Sequence, residues 1–140
     1  MENKKIRNAE KTEYEGIKFD SRLELFCYLA LKEAKIPFEL KTQFTSVEWF
    51  IHLGKKYRPI THFPDFYMPQ IYTIVDTKWY KNDVYPIKSK LLHKYFHDNN
   101  IPMVIHTPKN QKEVTALIEE LKILQYFYDA GKKWWASLKK

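Results

Sequence analysis

Apolar residues recur at helical spacing in three stretches of the chain and fall into short runs between them. Leu23, Phe26, Cys27, Ala30, Leu31 and Ala34 follow the i, i+3, i+4 rule, which predicts a helix starting at Asp20-Ser21 with that face turned inward. Ile36-Pro37 ends it, because proline lacks an amide proton and biases the residue before it away from helical angles. Across residues 38–78 the pattern changes to strands: Phe38-Glu39-Leu40, residues 47–51, a turn at Gly54-Lys55, a run over residues 57–67, and a last strand over residues 73–78 after a turn near Met68-Pro69-Gln70-Ile71. Pro86 suits the first turn of a helix, and helical spacing follows over residues 87–97. Met103-Val104-Ile105 reads as a short buried strand, and Asn110 opens a long helix with Val114, Leu117, Ile118, Leu121, Leu124 and Tyr128 on its apolar side. The polar residues 1–15 read as loosely held. The order α-β-β-β-β-α-β-α predicts an α/β fold with a central mixed sheet and helices on its faces.

Chemistry enters with the last hairpin. If its turn is centred between Gln70 and Ile71, residues whose numbers sum to 141 face each other, and Asp65 meets Asp76 with Cβ atoms about 5 Å apart. Two carboxylates that close repel unless a cation lies between them, and hard oxygen ligands of this kind suit Mg²⁺ or Mn²⁺. The pair therefore reads as a metal site. Lys78, two residues past Asp76, projects from the same strand face with its Cα roughly 6.7 Å away, within reach of a water or phosphate at the metal. Thr77 points away by the same alternation, leaving its backbone carbonyl as a neutral ligand. A cation that acidifies a bound water, with a lysine to orient that water, implies phosphodiester hydrolysis.

Composition narrows the partner. The 140 residues carry 24 Lys and Arg against 17 Asp and Glu, a formal charge of +7, so the surface attracts polyanions, with nucleic acid and an anionic membrane as the choices. Residues 71–140 hold 12 basic and 7 acidic side chains against 12 and 10 in residues 1–70, which directs the search for a phosphate-binding surface to the second half. The length fits one domain over residues 1–140. Cys27 is the sole cysteine, so neither an intrachain disulfide nor a cysteine-rich zinc site can form. No apolar run approaches the roughly 20 residues of a spanning helix, and Met1-Glu2-Asn3-Lys4-Lys5 leads into charge rather than an export signal. A cytoplasmic protein without membrane association is expected.

Pro64-Asp65 followed by Asp76-Thr77-Lys78 resembles the motif of the PD-(D/E)XK nuclease superfamily. Phe19-Asp20-Ser21-Arg22-Leu23-Glu24 looks like the start of the first helix in small phage-encoded nuclease-like families, and Pro64-Asp65-Phe66 and on to Lys78 is similar to the corresponding hairpin of phage junction-resolving endonucleases. The likeness covers residues 12–107 or thereabouts. It implies a restriction-endonuclease-like sheet flanked by helices and hydrolysis of branched or replicating DNA with Mg²⁺ or Mn²⁺. The catalytic residues it implies are Glu24, Asp65, Asp76 and Lys78, with Glu24, Asp65, Asp76 and the Thr77 carbonyl as metal ligands. Many relatives carry Glu where Asp76 stands. An enzyme that cuts two strands of a junction symmetrically is expected to act as a homodimer. Two other readings stay open: a nucleic-acid-binding protein that keeps the fold without turnover, against which the intact acidic and lysine positions count, and the nuclease subunit of a transposition or restriction system.

Glu24 has a second reading, since Ser21-Arg22-Leu23-Glu24 is also a capping-box pattern in which the carboxylate serves the helix start. In the helix over residues 87–97, Ile87, Leu91, Leu92, Tyr95 and Phe96 share one side with Lys88, while Lys90, His93, Lys94 and His97 share the other. Lys88 either turns toward a substrate phosphate or snorkels from the core edge. Lys90 and Lys94 are DNA-backbone candidates on an otherwise ordinary solvated face. His93 and His97 have the spacing of a zinc pair without a third ligand and read as surface histidines. His62, three residues before Asp65, is in range of the site, though a strand histidine more often serves structure. Lys132-Lys133-Trp134-Trp135 through to Lys139-Lys140 mixes cations and aromatics as nucleic-acid and membrane-interface segments do; the favoured reading has the two tryptophans covering the core.

Overall fold

Glu15 and Gly16, with φ of 52° and 80°, make a two-residue turn whose positive angles match the twist of the strands it joins. Those strands are β1 (Thr12–Tyr14) and β2 (Ile17–Phe19), paired antiparallel with Tyr14 opposite Ile17. The computed structural model describes residues 11–77 and 84–138, which belong to two units: one formed by residues up to Pro37 and from Pro108 onward, the other by Phe38–Thr107. The first hairpin corrects the expectation that residues 1–15 are loose throughout. Its strands are only three residues long, too short for an alternation to stand out, and the Glu-Gly turn was their only signal.

In the first unit, Ser21 caps α1 (Arg22–Glu33), its Oγ accepting the Glu24 amide at 3.1 Å. Phe19 packs on Tyr28 with ring centroids 5.0 Å apart. The buried residues Cys27, Tyr28 and Leu31 belong to α1, and Val114, Leu117, Ile118 and Leu121 to α3 (Gln111–Leu138), which packs against it. The Asn110 Oδ1 caps α3 by accepting the Glu113 amide at 2.8 Å. Gln125, not the expected Leu124, takes the next buried position. Tyr128 is half-buried, and beyond it the helix runs on without cover among the described residues: Trp134 and Trp135 are 60% and 61% exposed, so they do not close the core. At 1.5 Å per residue α3 is about 42 Å long and α1 only about 18 Å, and the tryptophans lie past the overlap.

The second unit contains β3 (Glu39–Leu40), β4 (Phe44–Val47), β5 (Phe50–His52), β6 (Lys55–Tyr57), β7 (Ile60–His62), β8 (Phe66–Met68), β9 (Thr73–Val75), α2 (Tyr85–Asp98) and β10 (Val104–His106). Its main sheet has the order β10-β9-β8-β3, with β10 parallel to β9 and the other pairs antiparallel. The expected mixed sheet of an α/β protein is therefore present. The parallel pair needs a crossover, and α2 supplies it. Leu92 and Phe96 of α2 bury against Ile74, with Phe44, Tyr67, Tyr95, Ile101, Met103 and Ile105 packed around them. Ile87 lies off this stripe and is exposed, a correction to the helix face assigned from spacing; Tyr85, Lys88 and Ser89 take the half-buried positions instead.

The strand runs expected over residues 47–51 and 57–67 are each divided. A register shift after Thr45, together with Pro59 and Pro64, which cannot donate to a ladder, breaks them into β4 to β8. The pieces still belong to one antiparallel excursion: residue numbers sum to 106 across β3–β8 and across β4–β7 before the shift, and to 107 after it and across β5–β6. Among the described residues no helix is long and apolar enough to cross a membrane.

Candidate active site

The β8–β9 hairpin has the register expected from its turn: Phe66 faces Val75, Tyr67 faces Ile74 and Met68 faces Thr73, each pair summing to 141. A 3-10 turn at Pro69–Ile71, with Tyr72 left-handed at φ 49°, closes it. Asp65 and Asp76 are the next pair outward, one residue past the strand ends. The Asp76 amide donates to the His106 carbonyl at 2.9 Å, carrying the β9–β10 ladder one step further. The Asp65 amide donates to the Asp76 Oδ1, also at 2.9 Å. Both side chains are buried, with 7% and 1% of their surface exposed.

Two carboxylates in such a place need compensation, and the unit provides it. The Lys41 ammonium donates to the Asp65 Oδ1 at 2.6 Å, and the Thr77 amide and hydroxyl both donate to the Asp65 Oδ2 at 2.8 Å. The His62 Nε2 lies 2.7 Å from the Asp76 Oδ2; an ionised carboxylate only accepts, so Nε2 carries the proton. Lys41 arrives by register: β3 pairs with β8 through Leu40 and Phe66, so the next residue, Lys41, meets Asp65, and its amide donates to the Asp65 carbonyl at 3.4 Å. Tyr85, at the start of α2, has its ring centroid 6.2 Å from that of His62. Burial pushes its phenol up to about 12, the negative charges of Asp76 and Asp65 add to the rise, and a hydrogen bond with Ser89 opposes it. The phenol is thus held as an O–H donor.

Of the residues singled out from the sequence, Asp65, Asp76 and Thr77 meet here. Thr77 does so through its side chain, which was expected to point away; the strand ends at Val75, so alternation no longer governs it. Lys78 lies outside the described residues. Glu24 belongs to the first unit, where its Oε1 accepts the Asp20 amide at 2.7 Å and its burial is nearly complete. That is the capping arrangement, displaced by one residue from the usual box. Lys88 is half-buried and Lys90 exposed, while Lys94 pairs with Asp98 at 2.7 Å. His93 is bonded to the Ser89 carbonyl at 2.9 Å.

The sequence reading missed Lys41 and Tyr85 and discounted His62. His62 had a signal in its spacing from Asp65. Lys41 and Tyr85 had none within their own neighbourhoods.

The donor chemistry admits a hard dication. Among the described residues no group of three or more His, Cys, Asp and Glu side chains is arranged to hold a metal, but Mg²⁺ commonly takes one or two carboxylates and completes its shell with water and substrate oxygens. Asp65 and Asp76 supply two carboxylates, and one oxygen of each already faces a donor, the Lys41 ammonium for Asp65 and the His62 imidazole for Asp76.

Residues 4–112 match the model of a family described as "Protein of unknown function (DUF1064)". Neither a curated protein nor a solved structure matches the chain.

Proposed function

The chain belongs to this family of unknown function, and from that premise we propose that it hydrolyses phosphodiester bonds of DNA with Mg²⁺ or Mn²⁺, on a restriction-endonuclease-like fold of the PD-(D/E)XK type. The observation that carries the reading is the buried Asp65–Asp76 pair at the end of a mixed sheet, set beside an ammonium and an imidazole. Asp65, Asp76 and the Thr77 carbonyl are the residues that would hold the ion. When bound, it would polarise a phosphoryl oxygen and acidify a water.

The surrounding side chains have matching tasks. Lys41, with 42% of its side chain exposed, keeps positive charge at the rim of the site, where a phosphate oxygen would arrive. His62 holds Asp76 in place through Nε2. Tyr85 remains protonated and can donate to a non-bridging oxygen. Lys78, two residues beyond Asp76 in the motif, is the second ammonium the reading assigns to the reaction. Branched DNA in the cytoplasm is the proposed substrate, and a homodimer is the form that two symmetric cuts would require.

Purified protein incubated with linear, nicked and four-way-junction DNA tests the reading. The expected result is cleavage in Mg²⁺ or Mn²⁺, none in EDTA, and none with Asp76→Asn. A second reading, nucleic-acid binding without turnover, is favoured by one feature: each of the four carboxylate oxygens has a protein partner, as in a purely structural clasp. DNA that is bound but left intact in both metals would select it.

A further inference from the structure

Residues 48–59 are exposed without interruption. They form the far end of the long antiparallel excursion, where β5 and β6 pair as a two-stranded ribbon with Phe50 opposite Tyr57, Ile51 opposite Lys56 and His52 opposite Lys55. An isolated two-stranded ribbon has no core of its own, yet this one carries Trp49, Phe50, Ile51, Leu53 and Tyr57 in the open. Across residues 48–59 it holds Lys55, Lys56 and Arg58 against a single carboxylate, Glu48. Division of the charge by halves of the chain had concealed this cluster.

The tip is unusual in a second way. Leu53 and Gly54 turn the ribbon with φ of 50° and 79°. Such a turn favours Asn or Asp at its first position, and a bulky apolar residue there is a steric outlier. Leu53 is also 91% exposed, so packing does not account for it. Backbone strain combined with an exposed apolar group is a reason to look for a ligand.

Charge and shape together select that ligand. Residues of one strand face are Phe50, His52, Lys55 and Tyr57, and of the other Trp49, Ile51 and Lys56. Cations and apolar groups occur on both, so neither face is the apolar side that a lipid surface requires. The rings are already occupied: the Lys56 ammonium lies over Trp49 at 5.0 Å, that of Lys55 over Tyr57 at 5.2 Å, and Phe50 stacks on Tyr57 at 4.9 Å. They stiffen the ribbon, and Leu53 remains as the apolar group at its end. Two-stranded ribbons are used to enter DNA grooves, and in the minor groove apolar side chains of this size are used as wedges between base steps.

We infer that the β5–β6 ribbon is a DNA-binding arm, with Lys55, Lys56 and Arg58 on phosphates and Leu53 inserted between stacked bases of a duplex. The inference rests on the proposed function for the identity of the polyanion. The eleven residue-to-residue steps from Gly54 to Asp65 span roughly 35 Å at most, so the arm can engage the duplex about one helical turn from the carboxylates.

Binding in EDTA separates the arm from the chemistry. With a fluorescein-labelled duplex, Lys55→Gln/Lys56→Gln/Arg58→Gln is expected to weaken affinity about 10-fold or more and to lower the logarithmic salt slope by about 2 to 3. Leu53→Asn suits the positive φ better, so its Tm should equal or exceed the parent's, its salt slope should persist, and the fluorescence rise of a 2-aminopurine placed in the duplex should disappear. Parental affinity in the triple variant overturns the arm, and the absence of any 2-aminopurine response to the parent protein overturns the wedge. Binding to phosphatidylserine vesicles that the triple substitution abolishes, without DNA binding, overturns the inference in favour of a membrane. Arm-dependent binding by a parent that never cleaves leaves the inference standing and removes the nuclease reading; cleavage with parental affinity in the triple variant does the reverse.

Discussion

Replacing Asp76 by Asn tests whether the buried carboxylate is there for charge or for hydrogen bonding. The exchange keeps the size of the side chain. The substituted carboxamide would still accept the Asp65 amide through its oxygen, preserving the bond that is 2.9 Å in the parent. Its nitrogen would face His62 Nε2, now 2.7 Å from the Asp76 Oδ2, and a change of imidazole tautomer restores that bond. Two charge-assisted hydrogen bonds become neutral ones, a loss of about 1 kcal/mol each. The fold should therefore lose about 2 kcal/mol, or less than about 10 °C of Tm. Asp76→Ala is harsher, because it leaves the Asp65 amide without its acceptor in a buried place, at a further cost of about 1–3 kcal/mol. Single-turnover cleavage of a labelled junction in Mg²⁺ should fall at least about 100-fold in the Asn variant, while DNA affinity in EDTA stays near the parent's. Saturating Mg²⁺ should raise the parent's Tm through linkage and leave that of Asp76→Asn unmoved. Near-parental turnover in a folded Asn variant would refute the assignment of Asp76 to the reacting centre.

The other predictions concern the residues around the pair. Lys41→Gln should slow single-turnover cleavage by about 100-fold if its charge meets the phosphate, and it should cost only about 1–2 kcal/mol, since Lys41 is partly exposed and Thr77 still serves Asp65; calorimetry with rapid-quench kinetics measures both. Glu24→Gln should retain activity and Tm, because Gln also accepts the Asp20 amide, whereas Glu24→Ala should lose about 1 kcal/mol; loss of cleavage in the Gln variant at unchanged Tm would instead give Glu24 the catalytic role its motif implies. Tyr85 binds its proton more tightly folded, at about 12, than its ordinary 10.0. Its contribution is therefore fully present below pH 10 and lost as pH rises through 12, so urea titrations of Tyr85→Phe in that window should show a shallower alkaline loss of stability than the parent. Phe96→Ala, by emptying the space between α2 and Ile74, should cost about 3–5 kcal/mol in denaturant titration.

What the sequence determined by itself was decided over short distances along the chain. The register of β8 on β9 follows from a tight turn and a period of two, so Asp65 and Asp76 were legible as facing residues before any coordinates. The caps of α1 and α3 lie within four residues of the groups they serve, and the helices themselves follow from spacing. The tertiary structure alone brought Lys41 and Tyr85 to the carboxylates, and it set His62, whose spacing from Asp65 was its one signal, against Asp76. Lys41 meets Asp65 because β3 pairs with β8 across an excursion of more than twenty residues. That closure depends on a register shift at Thr45 and two prolines rather than on any periodic signal. Tyr85 arrives because Leu92 and Phe96 dock on Ile74 and so fix the rotation of α2 about its axis, a choice that Ile87 and Leu91 contested in the helical wheel. Exposure was settled in the same way: Trp134 and Trp135, expected from their chemistry to cover the core, remain exposed. Hydrophobicity makes burial favourable, but a side chain is buried only where another element reaches it, and how far each element extends is a property of the folded chain.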